Sequence, residues 1–160
     1  MTHLICELFE ALGDKTLATA ESCTGGMIGA LITAVSGSSK FYKGGIISYT
    51  NEVKSSVLGV DAELLDREGA VSAPVATAMA EGARRALGAD VAISVTGLAG
   101  PSGDDRGTKV GTVYIGYADE RGAEAVCFRF SGDREAVRRQ TAREALKLAT
   151  TKTKSTLCNK

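Results

Sequence analysis

Short apolar segments of strand length alternate along this chain with segments of helical periodicity, and this alternation constrains the fold more than any other feature. Buried strands are predicted at 16–20, 44–49 and 90–96, where β-branched residues, alanine and glycine predominate. The first two are each followed by helical segments, the kind of connection that parallel neighbours in a sheet require. The pattern predicts an α/β fold with helices packed on a sheet.

Two further segments, 112–118 and 125–130, alternate in the manner of strands around a turn at 119–122. This arrangement predicts an antiparallel hairpin. A hairpin added to strands with helical crossovers gives a mixed sheet rather than a purely parallel one. We therefore predict a three-layer α/β/α sandwich.

Capping residues predict where several helices begin and end. Asn51 is a predicted cap for a helix over 52–58. Ser72 and Pro74 open a helix that Gly88 is predicted to close. These local signals divide the chain into separate helices.

The length predicts a single domain over 1–160, since 160 residues lie within the usual range of roughly 100 to 200 per domain. Its core is expected at about 4–149, where the last helix is predicted to end. The tail at 150–160 is polar and is expected to fray.

The charges balance, with 19 Lys and Arg against 19 Asp and Glu. No field covers the whole surface that would attract nucleic acid or anionic lipid, so any anion site must be local. No stretch approaches the roughly 20 apolar residues that span a bilayer, and residues 1–15 lack the apolar core of a signal peptide. We expect a cytoplasmic protein without membrane or nucleic-acid partners.

The cysteines Cys6, Cys23, Cys127 and Cys158 stand far apart, and His3 is the single histidine. No C-x-x-C pair or familiar zinc pattern can be assembled from them, so we expect reduced thiols, no metal and no cofactor. Because His3 lies in the first turns of a predicted helix, a Ser-His-Asp triad is not expected. A nucleophile in this chain needs another base.

Ser22 stands where the first strand ends and a glycine turn begins, in the segment 20–26. Open α/β sheets bind ligands at this carboxyl edge. The backbone N–H groups of Thr24, Gly25 and Gly26 would suit a phosphate or an oxyanion. The alternative is that Ser22 or Thr24 merely caps the following helix.

Lys54 is the leading candidate base, because a buried lysine with a lowered pKa can activate a serine. It shares a predicted helix face with Val57 and Leu58, which would place its ammonium beside apolar surface. Tyr49 would relay a proton or hold the lysine. The alternatives are a lysine whose head reaches water and a tyrosine that packs at a strand end.

Cys23 is an alternative nucleophile, since thiolates are more reactive than serine and a helix N-terminus favours them. No histidine is available to pair with it. Ser22 is preferred over Cys23 for that reason.

Arg134, Arg138 and Arg139 fall near the start of the last helix, where the helix dipole disfavours cations. Pairing with Asp133 and Glu135 would offset this. An anionic ligand such as a phosphate, which the arginine fork suits, is the functional alternative.

The loop at 97–109 is rich in Gly, Asp and Pro and follows a buried strand. Its glycines would let the backbone approach a ligand closely, although a plain surface turn has the same composition. The loop is therefore a second candidate for contact with a ligand.

Six motifs occur in order: Ala20-Glu21-Ser22-Cys23-Thr24-Gly25-Gly26, Ser48-Tyr49-Thr50-Asn51 with Lys54, Gly69-Ala70-Val71-Ser72, Thr96-Gly97-Leu98-Ala99-Gly100-Pro101, Gly111-Thr112-Val113, and Phe130-Ser131-Gly132-Asp133-Arg134 with Val137-Arg138. Together they resemble the carboxy-terminal domain of the competence/damage-inducible protein CinA, which also occurs as a stand-alone nicotinamide-mononucleotide deamidase. The resemblance covers about residues 4–149.

This resemblance implies an α/β/α fold, often dimeric, that hydrolyses the carboxamide of nicotinamide mononucleotide to nicotinate mononucleotide and ammonia without a metal. Ser22 would be the nucleophile, activated by Lys54 and Tyr49, and Arg138 would hold the substrate phosphate. The remaining substrate contacts expected are Thr24, Gly25, Gly26, Asn51, Thr96 and Gly97. It also implies the stand-alone form, without the amino-terminal nucleotide-hydrolase domain of the larger family members.

Two other functions remain open from the sequence. The same pocket would suit a regulatory module that holds a pyridine nucleotide without turning it over. The family name also suggests an interaction protein in DNA uptake or damage response, although the balanced charge disfavours direct DNA binding.

Overall fold

The computed structural model describes the backbone of residues 1–157 and the side chains of residues 1–155. Its helices and strands, in chain order, are α1 (Thr2–Leu12), β1 (Leu17–Glu21), α2 (Met27–Thr33), β2 (Tyr42–Ile47), α3 (Asn51–Ser56), α4 (Ala62–Glu68), α5 (Ala73–Leu87), β3 (Val91–Gly97), β4 (Thr112–Asp119), β5 (Gly122–Arg129) and α6 (Arg134–Leu157). Within the described residues, no helix combines the length and the apolar character needed to cross a bilayer.

The five strands form one sheet in the order β2-β1-β3-β4-β5. Strand β1 pairs in parallel with β2 and β3, whereas β4 runs antiparallel to β3 and forms a hairpin with β5. Helices α1, α2 and α6 cover one face of the sheet, and α4 and α5 cover the other. The predicted α/β/α sandwich on a mixed sheet is confirmed.

The two faces of the sheet carry side chains of different size. Leu17 and Ile93 point toward α1, α2 and α6, whereas the neighbouring residues Ala18 and Ala92 point toward α5, as strand alternation requires. At Gly116 in β4 a Cβ atom would collide with a backbone carbonyl of α5. Small residues on this face therefore let α5 lie close against the sheet.

Strand β2 ends at Ile47, two residues before the predicted end. Its partner strand β1 ends at Glu21, directly opposite Ile47, so the ladder has no partner for Tyr49. Ser48 still donates its N–H to the Glu21 carbonyl at 2.8 Å, and the chain then turns into α3.

The predicted cap of α3 is wrong by one residue. Thr50 is the cap, and its Oγ1 accepts a hydrogen bond from the Val53 N–H at 3.4 Å. Asn51 is instead the first residue of the helix, which ends at Ser56 rather than at 58.

Helix α6 continues to Leu157, so the prediction of a frayed tail is wrong for residues 150–157. Thr153 is buried with its hydroxyl 3.4 Å from that of Tyr117, and Thr150 is also buried. These contacts stabilise a segment whose β-branched residues have little intrinsic helix propensity. Residues 158–160, including Cys158, lie outside the described residues.

Candidate active site

The carboxyl ends of β1, β2 and β3 meet at one edge of the sheet, where a cavity of about 240 Å³ opens. The chain passes from β1 to β2 on one side and returns to β3 on the other, which makes this edge the switch point where open α/β sheets bind ligands. The cavity is lined by Ser22, Cys23, Tyr49, Asn51, Lys54, Ala70, Val71, Thr96, Gly97, Leu98, Ala99, Gly100, Ser102 and Arg134.

Ser22 and Lys54 meet at the floor of this cavity. Ser22 is the first residue after β1, and Lys54 reaches it from α3 with its Nζ 3.2 Å from the Ser22 Oγ. The lysine is only 1% exposed, so its head does not reach bulk water as snorkelling lysines do. The structure thus brings together the two side chains that the sequence proposes as nucleophile and base.

The buried Lys54 ammonium has carbonyl partners rather than an acidic one. Its Nζ donates to the Ser48 carbonyl at 2.9 Å and to the Tyr49 carbonyl at 3.5 Å. Among the ion pairs of the described side chains, none involves Lys54. Burial lowers the pKa of this lysine below its ordinary value, because the charged form loses its hydration.

The neutral form of Lys54 fits this geometry. A neutral amine has two N–H groups and one lone pair in a tetrahedral arrangement. If the Ser48 and Tyr49 carbonyls accept the two N–H groups, the lone pair remains for the Ser22 hydroxyl proton. The arrangement is therefore chemically suited to deprotonate a serine.

Tyr49 contacts Lys54 through its backbone rather than through its phenol. Its hydroxyl accepts a hydrogen bond from Arg134 Nη2 at 2.9 Å, and its side chain is largely exposed. The phenol thus stands at the mouth of the cavity beside a cation. Lys54 reaches Ser22 directly, without a tyrosine between them.

The turn after Ser22 folds around the buried carboxylate of Glu21. This carboxylate accepts hydrogen bonds from the Thr24 hydroxyl at 2.6 Å and from the N–H groups of Gly26, Ile28 and Gly29 at 2.8 to 3.0 Å. The first N–H groups of a helix carry a partial positive charge and need acceptors. The Glu21 carboxylate supplies both a compensating negative charge and the acceptor oxygens from within the chain.

The predicted ligand contacts of Thr24, Gly25 and Gly26 therefore differ from what the structure shows. The Thr24 hydroxyl and the Gly26 N–H bind Glu21, and the Gly25 N–H donates to the Ser22 carbonyl at 3.1 Å. None of the three lines the cavity. The start of α2 is thus already occupied and does not offer these groups to a phosphate.

Cys23 lines the cavity next to Ser22, but it is held as a thiol. Burial raises the pKa of Cys23 to about 11, because a thiolate there would lose its hydration, and the Glu21 carboxylate adds to this effect. Nucleophilic cysteines have a lowered pKa instead. The structure favours Ser22 over Cys23.

Arg134, and not Arg138, is the arginine that lines the cavity. Its guanidinium donates to the Gly100 carbonyl at 2.8 Å as well as to Tyr49. Arg138 lies one helical turn further and donates to the Thr24 carbonyl at 2.9 Å and to Glu135. The structure therefore does not place Arg138 where the sequence expected the phosphate contact.

Thr96, Gly97 and Asn51 all line the cavity, as expected. Thr96 donates its hydroxyl to the Ala70 carbonyl at 2.6 Å, which joins the end of β3 to the segment before α5. At Gly97 a Cβ atom would lie 2.6 Å from a methyl group of Val113, so only glycine fits here. Thr96 and Gly97 line the cavity from the end of β3, whereas Asn51 lines it from the start of α3.

The roles of Glu21 and Ala70 were not predicted from the sequence. Glu21 had a detectable signal, because an acidic residue just before a predicted helix start matches the helix dipole. Ala70 had none, since the partner of its carbonyl is the Thr96 hydroxyl, 26 positions away in the sequence.

His3 lies exposed in α1 beside Glu7. Within the described residues, no group of three or more His, Cys, Asp or Glu side chains is arranged to hold a metal ion.

The model of the family described as CinA C-terminal domain matches residues 2–153. The chain belongs to the CinA family. A CinA-like protein of Geobacter sulfurreducens is 50% identical over 142 residues, which cover 89% of this chain and 34% of that protein. A CinA-like protein of Citrifermentans bemidjiense is 53% identical over 131 residues, which cover 82% and 32%. The chain thus spans about a third of the length of these CinA-like relatives.

Solved structures of the CinA superfamily share the fold along nearly the whole chain. A CinA superfamily protein of Klebsiella pneumoniae matches with a TM-score of 0.92 and 37% identity, covering 95% of this chain and 96% of that one. The competence/damage inducible protein CihA of Agrobacterium tumefaciens matches with a TM-score of 0.87 and 35% identity, covering 92% of each chain. CinA-superfamily structures therefore share the described architecture, including the mixed sheet.

Proposed function

We propose that this CinA-family domain hydrolyses the carboxamide of nicotinamide mononucleotide, with Ser22 as nucleophile and Lys54 as general base. The observation that carries the proposal is the 3.2 Å contact between the Ser22 Oγ and the Nζ of a buried lysine, whose other partners among the described residues are backbone carbonyls. In its neutral form such a lysine has a lone pair that can accept the Ser22 hydroxyl proton. The resemblance of the motifs to nicotinamide-mononucleotide deamidases supplies the substrate.

The first half of the reaction forms an acyl-enzyme. Neutral Lys54 takes the Ser22 proton as Oγ attacks the carboxamide carbon, and the carbonyl oxygen becomes an oxyanion. Cys23 lines the cavity beside Ser22, and its N–H has no backbone partner among the described residues, so we assign this N–H to the oxyanion. The carbon–nitrogen bond then breaks as protonated Lys54 gives its proton to the amide nitrogen, which leaves as ammonia.

The second half releases the acid. Water takes the place vacated by ammonia, and neutral Lys54 removes its proton as the water oxygen attacks the ester carbon. The bond to Ser22 Oγ breaks, and Lys54 returns the proton to that oxygen. The net reaction consumes one water and yields a carboxylic acid and ammonia, with the enzyme unchanged.

The polar groups at the cavity mouth support a nucleotide substrate. Arg134 presents the guanidinium that lines the cavity, and a guanidinium fork suits the two oxygens of a phosphate. Tyr49 stands beside it with an exposed ring, which suits a cationic pyridinium. We assign the phosphate to Arg134 and the ring to Tyr49, with Asn51, Thr96 and Gly97 lining the remainder.

The test measures ammonia release from nicotinamide mononucleotide by wild type, Ser22→Ala and Lys54→Ala. Each variant is expected to lose activity by at least about a thousandfold, since the two groups act as a unit. Ser55→Ala, in the same helix as Lys54, and the exposed Lys43→Ala are matched controls that should retain activity. Activity that survives in Ser22→Ala would contradict the serine mechanism.

A calorimetric binding measurement on the same protein separates catalysis from simple binding. Binding of the nucleotide without ammonia release would support the regulatory alternative.

The expected homodimer and cytoplasmic location remain predictions, and size-exclusion chromatography with light scattering tests the first of them.

A further inference from the structure

Arg106, in the loop between β3 and β4, fastens that loop to the end of α4. Its Nη1 donates to the Arg67 carbonyl at 2.9 Å, and its Nη2 donates to the Asp66 carbonyl. Carbonyls in the last turn of a helix lack partners within the helix, and a cation is favoured at that end. The Arg106 side chain, from a distant part of the sequence, thus supplies both hydrogen-bond donors and a positive charge at the C-terminal end of α4.

Gly69, directly after α4, provides the space for this side chain. A Cβ atom at Gly69 would lie 2.7 Å from Cδ and 2.8 Å from Nε of Arg106. Gly69 also has a φ of 79°, a conformation that L side chains rarely adopt. The end of α4 is therefore shaped to receive Arg106 as well as charged to bind it.

The segment after α4 and the loop after β3 both line the candidate active site. Ala70 and Val71, which follow Gly69, contribute to the lining, as do the loop residues Leu98, Ala99, Gly100 and Ser102. The base of the loop is fixed to β4, since Leu98 donates its N–H to the Thr112 carbonyl at 3.0 Å. Arg106 fixes a later part of the same loop to the end of α4, so the loop is held at two points.

The loop in turn holds the cation of the cavity. The Gly100 carbonyl accepts from Arg134 Nη1 at 2.8 Å, and Arg134 then reaches Tyr49. Arg106 thus fixes the loop to α4, and the same loop presents the Gly100 carbonyl to Arg134. Displacement of the loop would remove one of the two contacts that orient the Arg134 guanidinium.

We propose that Arg106 is a positioning residue that determines how strongly the cavity prefers a phosphorylated over an unphosphorylated ligand. The inference rests on the proposed function, because it assigns the substrate phosphate to Arg134. Arg106 itself does not touch the ligand. It holds the loop whose Gly100 carbonyl orients the group that does.

The test compares the affinities for nicotinamide mononucleotide and nicotinamide riboside, measured by calorimetry in a Ser22→Ala background so that turnover does not interfere. In Arg106→Ala the ratio of the two affinities is expected to fall by about fivefold to tenfold, the effect of losing one hydrogen-bonded anchor. In Arg106→Lys the ratio of the two affinities should fall less, because an ammonium can still donate to one of the two carbonyls. Arg67→Ala is the matched control, since its side chain pairs with Glu68 and its carbonyl remains.

Hydrogen exchange of the amides at 98–103 provides a second readout, and exchange is expected to be faster in Arg106→Ala than in Arg67→Ala. An unchanged affinity ratio in Arg106→Ala, or an equal fall in Arg67→Ala, would overturn the inference. Equal affinity of the parent protein for both ligands would overturn it as well. Failure of wild type to release ammonia contradicts only the proposed function, because the affinity ratio is measured without turnover.

Discussion

The Nζ atom of Lys54 lies 3.2 Å from the Oγ atom of Ser22, although 32 positions separate the two residues. The strand end at Ser22 and the short helix α3 supply the two sides of this contact. Proton transfer between them requires that the lysine be neutral, and its burial favours that state. The protonation state of Lys54 is therefore expected to affect both the proposed reaction and the stability of the fold.

Deamidase activity is expected to rise with pH. The lysine acts as a base when neutral, and its pKa is lowered from 10.5 by burial, so kcat/KM should increase through an apparent pKa below that value. The measurement is a pH profile of kcat/KM for wild type and for Lys43→Met, whose lysine lies on an exposed edge. A profile that falls over the alkaline limb while the protein stays folded would contradict the assignment of Lys54 as base.

The stability of wild type relative to Lys54→Met should also depend on pH. The folded pKa lies below the unfolded one, so between the two values the unfolded chain binds more protons and stability rises with pH. Below the folded pKa the full penalty of the buried charge applies. Urea unfolding should therefore show an advantage of Lys54→Met that becomes smaller as the pH rises toward 10.5. Lys43→Met should show no such trend.

Cys23 should be inert toward alkylation at neutral pH despite its position in the cavity. Its pKa of about 11 leaves almost no thiolate, whereas Cys6 and Cys127 are exposed. Mass spectrometry after brief iodoacetamide treatment should find label on Cys6 and Cys127 before Cys23. Cys23→Ser is expected to keep activity, and its inactivation would reopen the choice of nucleophile.

Glu21→Gln should destabilise the protein by ~2 kcal/mol or more. The amide keeps one acceptor oxygen, and its NH2 group would face an N–H group of the turn that now donates to Glu21. Urea unfolding gives the change in the free energy of unfolding. Glu52→Gln, an exposed change in the first turn of α3, is the control and should stay near wild type.

Arg134→Met is expected to raise KM for nicotinamide mononucleotide by about tenfold or more, because a charged hydrogen bond to the phosphate is lost. Arg138→Met should raise KM less, since Arg138 binds the Thr24 carbonyl and Glu135 rather than lining the cavity. Steady-state kinetics of both variants provides the comparison. The opposite order would assign the phosphate to Arg138, as the resemblance to the CinA domain implied.

The fold was largely predictable because its signals are local. Gly88 ends α5 as predicted, and the alternation within 112–130 identified the hairpin. The errors occur where distant contacts override local preference. Nothing near Thr153 indicates that its hydroxyl meets Tyr117, 36 positions away, so the extension of α6 was not predictable.

The site was predictable in its chemistry but not in its orientations. The absence of a suitable histidine pointed to Lys54, and the structure places that lysine beside Ser22. Arg134 and Arg138 lie one turn apart in α6, and Arg134 is the one that reaches the Gly100 carbonyl and the Tyr49 hydroxyl at the cavity. A loop conformation of this kind has no periodic signal in the sequence.

The carboxylate of Glu21 at the start of α2 has a consequence for product release. The proposed reaction turns a neutral amide into a carboxylate, which an unoccupied helix N-terminus beside Ser22 would attract and retain. Glu21 already neutralises that end of α2 and takes its N–H groups. The newly formed acid is therefore expected to find no unpaired helix N-terminus beside the place where it forms, which would favour its departure and weaken product inhibition.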